Sequence, residues 1–213
     1  MRTLHIEVRY VEEVLGTASS NPDIHREFIA SKANGARSIE EEVAALGADE
    51  VANKGMTVFP KSEDGTPFTW DYQWKGFFKD SCGMLRRADG FKSKRLKAYK
   101  KEIDGLVFIT PRAIPLVLPE GGAMGTCQRP LRASTAQGER VALADSETVP
   151  AGTTQTFDVH VFKDELVGYV VEWMGYGRFH GTGQWRNSGK GRFTCVVTDK
   201  PTGKVLIDTT GTE

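Results

Sequence analysis

The chain has little cysteine, no long apolar run and no net charge, and each shortage narrows the classes of function open to it. Only three cysteines occur in 213 residues, Cys82, Cys127 and Cys195. They lie far apart, with no C-x-x-C pair and no histidine at ligand spacing, so neither a zinc site nor a disulfide framework is expected. Without a signal-peptide pattern, this usage points to a reducing, cytoplasmic setting. No run approaches the ~18 apolar residues of a membrane span, so no membrane partner is expected. Lys+Arg 28 against Asp+Glu 28 leaves no bulk basic field, and any affinity for a polyanion must come from local segregation of charge. Neither G-x-x-x-x-G-K-[ST] nor a strand followed by G-x-G-x-x-G is present, so no nucleotide or other cofactor is indicated.

What is there is segregated. From Lys75 to Lys101 ten basic residues face two acids, Asp80 and Asp89, whereas Arg37 to Asp64 carries seven acids against three cations. The most distinctive stretch is Tyr176 to Phe193, where glycines alternate with cations and aromatics after an apolar, helix-like segment. Gly181, Gly183, Gly189 and Gly191 let the backbone take positive φ and approach a ligand closely. Arg178, Arg186, Lys190 and Arg192 would supply charge-assisted bonds to phosphate, and Trp185 a face on which a base stacks. The polar residues Gln184, Asn187 and Ser188 complete the candidate nucleic-acid-binding loop. The plain alternative is a glycine-rich hairpin that turns the chain, but a turn has no use for four cations.

Leu4, Ile6, Val8 and Tyr10 alternate with polar residues and predict a half-buried first strand. Asn21-Pro-Asp23 resembles a helix entry, Ser38-Ile-Glu-Glu41 a capping box, and Gly55 to Thr69 a hairpin turning at Glu63-Asp-Gly65. These segments read as an insertion over 20–70 within a single domain of 1–213. Trp74, Phe77, Phe78, Cys82 and Leu85 fall on one face of a helix from about Tyr72 to Arg87, with Lys75, Lys79 and Arg86 on another. That basic face is either solvated or the start of a phosphate track continued by Lys92 to Lys101. Strands follow at Leu106–Ile109 and Ile114–Leu118, then a loop over Pro119–Pro130 and a short strand at Val141–Ala144. A strand at Phe157–Val161 leads to a helix that Gly175 should end, then to the glycine-rich loop, a strand from Phe193, and a closing hairpin turning at Lys200-Pro-Thr-Gly203. The pattern is α+β, an antiparallel sheet of ferredoxin-like or RRM-like kind with helices on one face and an inserted helical-hairpin region.

Three segments in this order resemble the RAMP superfamily of CRISPR systems, and in particular the subunits that polymerise along guide RNA. Trp74-Lys-Gly-Phe-Phe-Lys-Asp-Ser-Cys-Gly-Met-Leu-Arg86 is similar to that family's "K-G … L-R" helix. Glu139-Arg-Val, then Ser146-Glu-Thr-Val-Pro-Ala-Gly-Thr-Thr and Phe157, resemble its "R … E-x-V-P-x-G-x-x-F" strand pair. Gly181 to Phe193 resembles its "G-G-x-R-S-x-G-x-G" loop. The resemblance covers about residues 72 to 197. It implies an RRM-like core that binds RNA through its backbone, with Lys75, Arg86, Arg186 and Lys190 at phosphate-contacting positions, and partners that are copies of itself or other CRISPR-complex subunits. The neutral balance and the acidic segment depart from the family pattern and leave open a stand-alone or phage-borne relative.

Some members of that family cleave RNA, and Asp23 and His25 are the catalytic candidates here. A histidine can act as general base near neutral pH, with an aspartate holding the attacking 2′-hydroxyl. The plain alternative is that Asp23 caps a helix whose surface carries His25. The leading expectation is a non-catalytic RNA or single-stranded-DNA binding module that assembles along the strand. A metal-independent endoribonuclease and a phage-borne inhibitor that mimics a CRISPR subunit stand as alternatives.

Overall fold

The alternation at the start of the sequence becomes the centre of a five-stranded sheet. In a computed structural model that describes residues 1–19, 56–135 and 138–211, β1 spans Arg2–Tyr10 and buries Leu4, Ile6, Val8 and Tyr10. The helix entry at Asn21, the capping box at Ser38, and the catalytic candidates Asp23 and His25 lie outside the described residues. The chain divides into two compact units, one of Met1–Val14, Pro60–Ala123 and Val149–Glu213, the other of Leu15–Phe59 and Met124–Thr148.

In the larger unit, Phe68–Trp70 (β5) pairs antiparallel with Ala113–Pro115 (β7), and helix α1 follows at Asp71–Leu85. The turn expected at Glu63–Gly65 forms, with Gly65 at φ 84° and its amide donating to Ser62 O at 2.9 Å. A short helix α2 (Tyr99–Leu106) leads into β6 (Val107–Thr110), and β10 (Thr154–Val161) into helix α3 (Val167–His180). The chain then enters β11 (Phe193–Asp199) and β12 (Lys204–Asp208). The strand order is β12-β11-β1-β10-β6, every neighbour antiparallel.

The apolar stripe expected on α1 is its buried face: Trp74, Phe77, Phe78, Cys82 and Leu85. Trp74 packs 4.6 Å from Phe157 on β10 and 5.5 Å from Phe193 on β11, and Phe78 packs 5.6 Å from Trp173 on α3. Both helices therefore cover the sheet face that carries Phe157 and Phe193. Helix α3 runs on past Gly175, where the sequence suggested a stop, and ends at Gly181 with φ 69°. The intervening glycine serves packing: a Cβ on Gly177 would stand 2.1 Å from the Phe193 ring, so the helix lies directly on the strand there.

The smaller unit corrects another expectation. Of the loop predicted over Pro119–Pro130, residues 119–124 are loop, but Gly125–Pro130 and the short strand at Val141–Ala144 belong to a long hairpin, β8 (Gly125–Thr135) against β9 (Gly138–Val149). Among the described residues strand β8 pairs with β9 alone, and an edge strand tolerates Pro130, whose missing N–H made the segment look like a loop. The strands β2 (Val14–Leu15), β3 (Ala18–Ser19) and β4 (Thr57–Val58) complete this sheet in the order β2-β9-β4-β3.

Candidate nucleic-acid interface

The glycine-rich loop has the backbone its composition demands. Gly181, Gly183, Gly189 and Gly191 all have φ between 69° and 87°, and Arg186–Ser188 forms a single 3₁₀ turn. The two ends of the loop close on each other, with the Thr182 amide donating to Gly191 O at 2.9 Å and the Gly191 amide to Glu13 O at 2.9 Å. Thr182 Oγ1 donates to the Tyr10 hydroxyl at 3.1 Å, which in turn donates to Gln155 Oε1 at 2.9 Å. Burial pushes the Tyr10 phenol far up, the bond from Thr182 opposing it, so the phenol stays a neutral donor that ties the loop to β1 and β10.

Arg186, Lys190 and Arg192 meet acids distant in sequence. Arg186 Nη1 donates to Asp80 Oδ2, which also lies 2.6 Å from His180 Nε2, and Arg186 Nη1 is 2.9 Å from that same nitrogen. Burial pushes the Asp80 carboxyl up, but the bonds from His180 and Arg186 outweigh it and hold the group below the ordinary carboxylate range. Lys190 pairs with Glu13 at 2.5 Å; Arg192 pairs with Glu12 at 3.3 Å and donates to Gly189 O at 3.1 Å. The Arg178 guanidinium sits 5.7 Å from the Phe179 ring. Asn187 and Ser188 are exposed, Gln184 is half-buried, and Trp185 stands 38% exposed at the loop's outer turn.

The basic tract makes a surface beside this loop. An open cleft of about 690 Å³ is lined by Lys79, Arg86, Arg87, Lys94 and Lys100, with Gly76, Gly83, Met84 and Tyr99, and by one carboxylate, Asp80. Lys79 reaches Asp104 at 2.6 Å and Lys94 reaches Asp89 at 2.6 Å, while Arg86 lies 5.1 Å from the Tyr99 ring. Arg86, Arg87 and Lys100 make no ion pair among the described residues. Asp80 belongs to both features: it lines the cleft and holds Arg186, so loop and cleft are continuous. Lys75, one turn before Lys79 on α1, donates to Asp104 O at 3.3 Å and lies 4.3 Å from the centre of the Phe108 ring. Burial there lowers the Lys75 pKa, against the pull of Asp104 and Asp71.

A polar cluster on the opposite face of the sheet has no motif to announce it. His5 Nδ1 lies 2.8 Å from Asp158 Oδ1, Lys200 donates to Asp158 Oδ2, and His160 sits between Thr3 Oγ1 at 3.2 Å and Thr110 Oγ1 at 2.9 Å. Burial works to raise the Asp158 pKa, but Lys200 and His5 bring it below the ordinary range. The only signal was position: all but Lys200, which lies in the turn after β11, occupy polar slots of alternating strands and meet partners from neighbouring strands. Among the described residues no group of three or more His, Cys, Asp or Glu is placed to hold a metal ion, and no helix is long and apolar enough to cross a membrane.

No family model matches the sequence, and no curated protein matches it. Solved structures do match in fold. A chain in the cryo-EM structure of the type III-B Cmr-beta bound to cognate target RNA superposes with a TM-score of 0.53 over 90% of this chain at 10% identity. The match spans 57% of that longer chain. A chain of a type IV-B CRISPR complex aligns over 92% of this chain and 90% of its own length, at 10% identity and a TM-score of 0.47. The similarity to the Cmr-beta chain shows a shared α+β fold.

Proposed function

We propose that this protein binds single-stranded nucleic acid, RNA before DNA, through the cleft between α1 and α2 and the adjoining glycine-rich loop, as a non-catalytic RAMP-type backbone subunit of a CRISPR-related assembly. The observation that carries this reading is the lining of the cleft, five cations against one carboxylate in a chain of zero net charge. The fold supports it. In chain order β1-α1-β6-β10-α3-β11 is a βαββαβ unit, with its strands in the spatial order β11-β1-β10-β6, and this suits a ferredoxin-like core. The likeness to a chain of an RNA-bound Cmr-beta structure points the same way. The three cysteines are free thiols, in keeping with work in the cytoplasm.

The test is fluorescence polarisation with labelled single-stranded RNA, single-stranded DNA and duplex, at several salt concentrations. Each phosphate neutralised on a single strand contributes roughly 0.7 to the slope of log affinity against log salt. Arg87→Glu with Lys100→Glu removes two of the three cleft cations that make no ion pair among the described residues, so the slope falls by about 1.4, affinity drops at least tenfold, and the melting temperature is unchanged. Equal affinity of wild type and double variant for every strand refutes the cleft as the site. RNA recovered intact after incubation fits the non-catalytic role; cut RNA moves the reading to an endoribonuclease.

A further inference from the structure

Phe108 and Phe162 are 40% and 54% exposed, and their rings meet edge to face at 5.5 Å and 76°. Strand alternation explains their place. Val107, Ile109, Phe157, Val159 and Val161 are buried towards the helices, so Phe108 on the edge strand β6 and Phe162 just after β10 point to the opposite face. His160 stands directly across from Phe108 in the register and adds a third flat ring to that patch. The Lys75 ammonium lies 4.3 Å from the Phe108 centroid, so α1 delivers a cation to the aromatic pair. Lys75 and Lys79 are one helical turn, ~6 Å, apart and share Asp104, one bonding its carbonyl and the other its carboxylate. A line of contacts therefore runs from the cleft through Lys79 and Lys75 to the exposed rings.

Two occupants suit an exposed aromatic pair, an apolar protein surface or an unpaired nucleobase. The lysine decides between them. Lysine is depleted from the cores of protein interfaces, whereas single-strand sites combine aromatic platforms with cations that follow the backbone. We propose that Phe162 and Phe108 form a stacking subsite for one unpaired base of the strand whose phosphates pass over Lys79 and Lys75. This rests on the binding reading above and adds a place where the strand is held by a base as well as by its charge. Every base has a π-face, so the subsite tolerates any sequence.

The test compares a short labelled RNA with an abasic ribose-phosphate strand of equal length, using wild type, Phe162→Ala and Phe162→Trp. The expected result is that Phe162→Ala weakens the base-bearing RNA by roughly 5- to 150-fold, leaves the abasic strand and the salt slope unchanged, and that Phe162→Trp keeps the affinity. The ring is exposed, so the melting temperature stays at the wild-type value. If wild type binds both strands equally and Phe162→Ala changes neither, the subsite is refuted while the cationic cleft stands. If wild type binds neither strand, the cleft fails and the subsite with it. A Phe162→Ala variant that loses self-association or partner binding while keeping its RNA affinity assigns the patch to a protein, which also overturns the proposal.

Discussion

Replacing Gly191 with alanine tests whether the glycine-rich loop is a rigid, closed element. At φ 72°, a Cβ on residue 191 would lie 1.9 Å from Thr182 O and 2.9 Å from Thr182 C. Both are backbone atoms, so no side chain can swing away to relieve the clash. An L-residue in the left-handed region costs roughly 1–2 kcal/mol. Relief by backbone movement breaks the bonds from the Thr182 amide to Gly191 O and from the Gly191 amide to Glu13 O, each 2.9 Å long. Each such bond contributes about 1 kcal/mol net, so the total is about 3–4 kcal/mol. Gly203→Ala is the control, because Gly203 has φ 67° but a Cβ there would meet nothing within 4 Å, leaving only the ~1–2 kcal/mol conformational cost. Denaturant unfolding followed by tryptophan fluorescence reads the right part of the molecule, since Trp70, Trp74, Trp173 and Trp185 all belong to the larger unit. If Gly191→Ala costs no more than Gly203→Ala, the loop is not closed as described.

Trp74→Ala and Phe78→Ala, at positions 2% and 0% exposed, should each cost about 3–5 kcal/mol in the same assay, and near-wild-type stability in either would refute the α1 packing. The Asp80 carboxyl titrates below its usual 3.8 in the folded protein, so the unfolded state binds more protons there and stability rises with pH. The contribution is therefore complete above the unfolded value and is lost as pH falls through the folded one. Asp80→Asn should flatten the acid limb of the stability curve below about pH 4, and at neutral pH cost no more than ~1 kcal/mol because the ion pair is partly exposed. Superimposable acid limbs for wild type and variant would show that the Asp80–His180–Arg186 contact contributes nothing.

Much of this fold is legible because its strongest signals are periodic. The β1 alternation and the α1 stripe each correspond to a buried face, and the closing hairpin turns where Lys200-Pro-Thr-Gly203 suggests, with the Gly203 amide bonding Asp199 O at 2.8 Å. The failures share a cause in tertiary structure. Gly175 reads as a helix stop when only local propensity is considered, yet α3 continues because its glycine-containing face lies against β11. The β8–β9 hairpin escapes notice because an edge strand can hold Pro130. The candidate interface divides in the same way. Positive φ at four glycines follows from composition, whereas the acids that meet the loop's cations are 106, 177 and 180 residues away for Arg186, Lys190 and Arg192. No local pattern carries information at that range, and the partners of His5 and His180 were hidden for the same reason.

Those distant acids also explain how a neutral chain can present a site for a polyanion. Its cations fall into two groups. Arg186, Lys190, Arg192, Lys79 and Lys94 arrive with carboxylates, while Arg86, Arg87 and Lys100 arrive at the same surface with none among the described residues. A phosphate approaching the first group has to replace an ion pair that is itself worth only ~0–1 kcal/mol at an exposed position, so exchange is cheap but its net gain is small. A phosphate approaching the second group displaces only water and counterions, and there the gain is undiminished. Affinity and its salt dependence should therefore concentrate in the cleft. The loop's pairs instead fix its shape, with Glu13 and Asp80 holding Lys190 and Arg186 beside the path proposed for the strand. On this division, removing Arg87 and Lys100 lowers the salt slope, whereas Arg186→Ala costs affinity chiefly by repulsion, because it removes a cation and leaves the Asp80 carboxylate that lines the cleft without it.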